Sequence, residues 1–497
     1  MTNTLYDALI APHANNTSVF LDCDDGTSWT YDQFVARVAQ VAHVLRAQGV
    51  GVGARIVVQS AKTPDSIALY GAALQAGAVY LPLNTAYTQS EVRYFIEDAT
   101  PALVVCDPAR LSEIKEICDA TGTPVLTLAT DATGSLNRAA DDEPKEFETA
   151  ARGPDDLAAL LYTSGTTGRS KGAMLSHKNL LSNAVSLTDL GRITDQDRLI
   201  HALPIFHTHG LFVAINTTLL SGARVRFMAA FDVDTILAEM PQSTMMMGVP
   251  TFYTRLLGDA RFTRAVASGM RLFVSGSAPL LAETHTEFET RTGHRILERY
   301  GMTETNMITS NPYDGDRMAG TVGFPLPGTE VKVTENGATV PPGSVGMIEV
   351  RGDNVFQGYW NMPEKTAEEL RETGFFITGD LGIADAEGRI SIVGRQKDLI
   401  ISGGYNIYPK EIEDVINDLD GITESAVFGI PNADFGETVL AAVVLADPAL
   451  DPSAIASAVE PQLARFKHPR RYIVLDALPR NTMGKVQKNV LRESYSV

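Results

Sequence analysis

The sequence predicts an α/β protein: a large N-terminal domain of helix-covered sheets with a β-barrel-like subdomain, then a small α+β C-terminal domain. Three observations predict it. Short apolar runs alternate with helix-like segments along the first 300 or so residues, the texture turns to closely spaced β-like runs from about residue 330, and a compact tail follows Arg395.

The runs ARIVVQS (54–60), AVYLPL (78–83) and ALVVCD (102–107) read as strands, with SIALYGAALQAG (66–77) as a helix between the first two. Strand–helix alternation implies a mostly parallel sheet covered by helices. The polar, acidic stretch 131–157 reads as a long surface loop, ending at LAALLYTSGTTG, a strand that feeds a glycine-rich turn. Farther on, TEVKVTENG, GSVGMIEVRG and GRISIVGR are separated by turn residues, as in an antiparallel or barrel-like unit. In PKEIEDVINDL, residues Ile412, Val415, Ile416 and Leu419 recur at helical spacing. ESAVFGIP and TVLAAVVLAD follow as strands, enough for a small α+β unit of about 100 residues.

The chain has 497 residues, 44% hydrophobic and 20% charged, which suits a soluble protein of two or more domains. Its net charge of −19 argues against nucleic acid and anionic membranes as main partners. An anionic substrate must therefore be held by a local cationic site. Cys23, Cys106 and Cys118 are too few and scattered for a disulfide framework or a metal cluster and read as buried structural thiols in a reducing cytosol. The N-terminus lacks the features of a signal peptide, and no apolar run is long enough to span a bilayer.

The stretch YTSGTTGRSKG (162–172) concentrates glycines, hydroxyls and the cations Arg169 and Lys171. Such a composition suits either a polyphosphate or a polar surface loop. It is not a Walker A loop, because Ser170 precedes the lysine and Gly172 follows it. Five further stretches recur in order: ALPIFHTHG (202–210), VSGSAPL (274–280), ERYGMTET (298–305), ITGDLG (377–382) running on to GRQKDLIISGGYNIYP (394–409), and LPRNTMGK (478–485). Together with the opening stretch they closely resemble the adenylate-forming enzymes: acyl-CoA synthetases, amino-acid-adenylating domains and luciferases.

The resemblance covers nearly the whole chain and implies an N-terminal ATP- and acyl-binding domain, 1–394, and a mobile C-terminal lid, 395–497. It implies a two-step reaction: a carboxylate attacks the α-phosphate of Mg·ATP, and a thiol, usually that of CoA, then displaces AMP. Thr163, Ser164, Gly165, Thr166, Thr167, Gly168 and Lys171 would wrap the β- and γ-phosphates. Tyr300 would stack on adenine, Gly276 would let the backbone approach its other face, and Ala278, Glu298, Gly301 and Met302 complete the nucleotide set. Thr303 would meet the α-phosphate and Glu304 would ligate Mg²⁺. Asp380 and Arg395 would hold the ribose. Lys485 would offset charge in the adenylation transition state. Lys397 matches the hinge, where many relatives carry Asp, and Ser402, Gly403 and Gly404 would face pantetheine after rotation.

The acid is read from fewer residues. Arg299 and His207 are cation-capable beside the expected acyl pocket, Ser277 adds a hydroxyl, and Met307 could cap a short cavity. His207 is also counted with the catalytic residues. PIFHTHGLF with ERYGMTETNM resembles the malonyl-CoA synthetases, so malonate is the expected acid and methylmalonate the alternative. Arg299 could instead form a structural ion pair with Glu298 or Glu304. An amino-acid-adenylating module acting on a carrier protein is a competing reading, although PIFHTHG lacks the acid that would pair a substrate amine. A non-catalytic nucleotide-binding regulator is another, although it would not need Lys485 or the hinge.

Overall fold

The computed structural model describes residues 2–163, 170–402, 405–432, 435–481 and 484–496. A six-stranded sheet runs in the order Val125–Thr127, Leu103–Cys106, Arg55–Gln59, Val79–Pro82, Leu157–Thr163, Lys171–Ser176. All its pairs are parallel except the last, where Leu157–Thr163 and Lys171–Ser176 run antiparallel, with Thr163 opposite Lys171. The glycine-rich stretch thus joins two antiparallel strands, unlike the strand-to-helix turn of a Walker loop. The helix Pro64–Ala76 is buried almost all round, as a helix inside a large core must be. Thr63 caps its start by accepting from Ser66 N–H, and Gly77 ends it at φ +75°.

A nine-stranded sheet lies beside it, in the order Phe324–Pro325, Asn306–Ser310, Leu297–Met302, Leu272–Ser275, Met245–Gly248, Arg198–His201, Arg224–Phe227, Val19–Cys23, Ser28–Thr30. Its centre is parallel and its two ends are antiparallel. The barrel-like region is a five-stranded antiparallel sheet, Ala338–Thr339, Thr329–Glu335, Val345–Gly352, Phe376–Ala384 and Ile390–Arg395.

The C-terminal sheet orders Tyr405–Ile407, Ile400–Ser402, Gly436–Leu445 and Ile422–Asn432, with Arg471–Val474 paired parallel to Gly436–Leu445. Helix Pro409–Asn417 turns Ile412 and Ile416 inward, and Val415 and Leu419 pack at the margin, on the spacing read from sequence. Ile400, Ile407, Ile412, Val427, Val443 and Val459 belong to a core cluster drawn only from this region.

The structure corrects two expectations. The stretch 131–157 contains a helix, Ser135–Asp141, whose Leu136, Asn137 and Ala140 are buried. It is held by polar anchoring, with Asn137 Nδ2 donating to Asp65 at 2.7 Å, which local hydrophobic pattern does not reveal. Cys106 and Cys118 are buried free thiols, but Cys23 is only half-buried. Among the described residues no helix is long and apolar enough to cross a membrane.

Candidate active site

The tip of one hairpin carries much of the site. Leu297–Met302 and Asn306–Ser310 pair antiparallel, with Thr303, Glu304 and Thr305 in the turn and a register shift between Tyr300 and Gly301. A bulge of this kind re-aims side chains. Gly301 is obligatory here: a Cβ would lie 1.9 Å from Asn306 O. Phe356 N–H donates to Glu304 O at 2.8 Å and Asn354 Nδ2 to Thr305 O at 2.9 Å, so the turn is pinned from outside. Thr303 and Met302 are half-buried beside the turn.

Tyr300, Asp380 and Arg395 form one unit from two sheets. Tyr300 donates to Asp380 Oδ2 at 2.5 Å, and Arg395 Nε sits 2.6 Å from Asp380 Oδ1. Asp380 and Arg395 face one another across adjacent strands. Burial and the Asp380 carboxylate push the Tyr300 phenol far above its usual range. Lys485 reaches this unit from the C-terminal region. Burial, then Arg395, pulls its ammonium below the usual lysine range, with Asp380 and Glu304 near enough to oppose that shift. Its turn is tight, with Lys485 N–H donating to Asn481 Oδ1 at 3.0 Å and Gly484 at φ +73°. A Cβ on Gly484 would meet Thr251 at 3.4 Å, so this turn lies against helix Pro250–Leu257.

A second unit centres on Tyr359. Its hydroxyl lies 2.9 Å from Glu304 Oε1, 2.6 Å from Glu369 Oε2 and 3.0 Å from Lys171 Nζ. The segment is set by pairing with the strand that bears Lys171: Trp360 N–H donates to Gly172 O at 2.7 Å and Met174 N–H to Gly358 O at 3.0 Å. Glu304 is 4% exposed, and burial raises its carboxyl above the usual range.

The third unit is the expected acyl side. His209 Nδ1 lies 3.1 Å from Ser277 Oγ, and His209 N–H donates to His207 Nδ1 at 3.4 Å. Ser277 has φ +71°, a left-handed backbone that costs a non-glycine residue energy and often marks function. A Cβ on Gly276 would stand 3.3 Å from the His209 ring, so this glycine leaves room for that imidazole. Ala278 is half-buried beside it. Met307 is buried, and Asn183 Nδ2 donates to its carbonyl at 2.8 Å.

Arg299 is 2% exposed, yet among the described residues its side chain makes one hydrogen bond, Nε to Ser310 Oγ at 3.2 Å, and both terminal nitrogens lack a partner. Among those residues it makes no ion pair with Glu298 or Glu304. Burial, then Arg317, pulls the guanidinium down to about 10, still charged at neutral pH. Glu298 is buried too. Leu280 N–H donates to its Oε1 at 3.2 Å, its Oε2 has no partner among the described residues, and burial lifts the carboxyl to about 8. Glu298 therefore offers a neutral acid, not an anion, at neutral pH.

His207 departs from the expectation of a cation. Burial, Lys485 and His209 depress it to about 3. His209 is likewise held near 3 by burial and Arg299. Both rings are neutral at physiological pH, so His207 offers a hydrogen bond while the positive charge comes from Arg299 and Lys485.

Thr163 ends the strand before the glycine-rich stretch. Ser164, Gly165, Thr166, Thr167, Gly168, Gly403 and Gly404 lie outside the described residues. Ser402 pairs with Tyr405 and Gly436 in the C-terminal sheet and shares no side-chain contact with the three units among the described residues. Lys397 occupies a 3-10 turn, Gln396–Asp398, and burial with Arg395 lowers its ammonium to about 8. Sequence reading missed Tyr359, Glu369 and Asn306. Asn306 is buried at φ +51°, with Thr208 Oγ1 donating to its Oδ1 at 2.6 Å. Only the glycine-flanked aromatics of GYW gave any signal.

Comparison with known proteins points the same way as this geometry. Residues 10–360 match the model of the AMP-binding enzyme family, and residues 411–485 match that of the AMP-binding enzyme C-terminal domain. The chain is 35% identical to a feruloyl-CoA synthase of an Amycolatopsis species, covering 98% of this chain and 97% of that one. It is 32% identical to a malonate–CoA ligase of Arabidopsis thaliana, covering 95% and 85% respectively. ATP-bound MatB from Rhodopseudomonas palustris is 54% identical and superposes with a TM-score of 0.98 over 100% of this chain and 99% of that one. The apo form of that protein superposes less closely, with a TM-score of 0.87.

Proposed function

Because the chain belongs to the AMP-binding enzyme family and is an AMP-forming acyl-CoA synthetase, we propose that the small acid it joins to CoA at the cost of ATP is malonate. The observation that carries this reading is Arg299. A buried guanidinium whose two terminal nitrogens have no partner among the described residues is costly unless it meets an anion. Its planar fork suits a carboxylate. Malonate supplies one carboxylate to react and one to pair, whereas a monocarboxylate leaves Arg299 unpaired. Methylmalonate shares the second carboxylate, so Arg299 does not separate the two.

Adenylation brings the reacting carboxylate against the α-phosphate, two anions that repel. Lys485 offsets the charge that develops as the oxygen–phosphorus bond forms and pyrophosphate leaves. Lys171 holds the β- and γ-phosphates and Thr303 the α-phosphate. Asp380 and Arg395 hold the ribose, and Tyr300 with the 276–278 backbone encloses adenine. Glu304 provides a buried anionic oxygen of the kind Mg²⁺ takes, and the ion supplies positive charge that offsets the triphosphate. His207 and Ser277 hydrogen-bond the acid and Met307 bounds its length. Malonyl-AMP then yields malonyl-CoA and AMP when the CoA sulfur displaces the phosphate oxygen.

The closer match to the ATP-bound relative, with Lys485 inward, supports reading this arrangement as the one competent for adenylation. For thioester formation we place the pivot at Lys397. Before it, Arg395 is tied to Asp380; after it, Asp398 is tied to Arg492 at 2.8 Å. Rotation is thereby confined to the turn between two anchored residues, with the lid following it and Ser402 turned toward pantetheine.

Arg299→Ala tests the acid. Adenylation of malonate is expected to fall roughly a hundredfold or more, the scale of losing a buried charge pair. Adenylation of isovalerate, in which an isopropyl group replaces one carboxylate, is expected to hold or rise. An equal fall for both acids, or no fall for malonate, would sink the assignment.

A further inference from the structure

One carboxylate in the Tyr359 unit has no role in the mechanism above. Glu369 ends helix Pro363–Glu369 and faces Lys171 Nζ with both oxygens, at 3.2 and 3.1 Å. Tyr359 holds Glu369 Oε2 at 2.6 Å, and Lys365 Nζ stands 3.0 Å from Oε1. The side chains of Lys171 and Glu369 are only 21% and 22% exposed, so this is not a loose surface pair. Lys171 also lies over the Tyr359 ring, 4.1 Å from its centroid.

This geometry has two consequences. An ammonium on a four-carbon stem would otherwise sample many rotamers, and the pair holds it in one place. A carboxylate so close also cancels much of the charge that a polyphosphate would feel, and it repels the polyphosphate directly.

We propose that Glu369 is an exchangeable counter-ion for Lys171. It keeps the lysine in position while the site is empty, yields it to the phosphates of ATP, and takes it back as pyrophosphate departs. Both ligands pay the same displacement, so Glu369 weakens ATP and eases the release of pyrophosphate by a common factor. Glu369 is thus a positioning residue that acts through Lys171. The inference rests on the reading of Lys171 as a phosphate ligand.

The test is equilibrium binding of Mg·ATP, and separately of Mg·pyrophosphate, without acid or CoA. Wild type is compared with Glu369→Gln, Glu369→Ala, Lys171→Ala and the Lys171→Ala/Glu369→Gln double variant. Glutamine keeps an acceptor for Tyr359 and removes the charge; alanine gives a second route to the same loss if glutamine perturbs folding. Both are expected to tighten ATP and pyrophosphate by the same factor, roughly three- to tenfold, the scale of a partly exposed ion pair. The effect is expected to vanish in the Lys171→Ala background. Unchanged or weaker binding by the Glu369 variants, or tightening that persists without Lys171, overturns the proposal. If Lys171→Ala weakens ATP while Glu369→Gln does nothing, the inference alone fails. If Lys171→Ala leaves ATP binding intact, the phosphate-ligand reading fails with it.

Discussion

His177 is fully buried, with Leu5 N–H donating to its Nδ1 at 3.2 Å and Nε2 left without a partner among the described residues. Burial, then Arg152, lowers its pKa from 6.5 to about 4. The unfolded chain takes up a proton near pH 6.5 that the native state refuses. The stability from this site is complete above that pH and is lost as pH falls toward 4, by about 3 kcal/mol at most. Between pH about 7.5 and about 5, the urea midpoint of wild type is expected to drop more than that of His177→Gln, by the equivalent of about 2 kcal/mol. Equal drops would contradict the assignment. Arg299 has a similar environment but the opposite meaning. A buried neutral imidazole is tolerable with one partner, whereas a buried charge with two free nitrogens is not. Sequence singled out Arg299 because it directly precedes Tyr300, beside the acyl pocket that the family resemblance implies. It misread His207, whose charge is decided by surroundings that no local pattern records.

Among elements, the hairpin Leu297–Met302/Asn306–Ser310 bears most of the chemistry, and its tolerance for change is small. Gly301→Ala forces a Cβ onto the backbone carbonyl of Asn306 at 1.9 Å, where nothing flexible can move aside. Adenylation is expected to fall by roughly a hundredfold or more, with a lower melting temperature, as for a severe backbone clash. Gly51→Ala, where no atom lies within 4 Å, is the control and is expected to be silent. Equal behaviour of the two variants would show that the hairpin adapts. The buried parallel strands were easy to read because each is covered on both faces and appears as a continuous apolar run. The motif segments were readable by their order. Helix Ser135–Asp141 was not, because only Leu136, Asn137 and Ala140 face inward. Tyr359 and Glu369 were equally hidden. They meet Lys171 across 188 and 198 residues of chain, and such pairings leave no periodic trace.

For the whole molecule, the problem is to hold ATP and a carboxylate in a chain of net charge −19. The solution in the proposed function is to draw cations from distant parts of the chain. Lys171 comes from the six-stranded sheet, Arg299 from the nine-stranded sheet, Arg395 from the five-stranded sheet and Lys485 from the C-terminal region. Arg395 lowers the Lys485 ammonium electrostatically, as expected of neighbouring cations. With the proposed pivot at Lys397, the lid can remove Lys485 after adenylation while the other three stay. In the proposed function Arg299, alone among these four, serves the acid and not the nucleotide. Initial-rate pyrophosphate release by the wild-type enzyme, with Mg·ATP, CoA and either malonate or isovalerate, tests this most directly. With Arg299 pairing the second carboxylate, kcat/KM for malonate is expected to exceed that for isovalerate by about a hundredfold or more; equal or faster turnover of isovalerate would contradict that role.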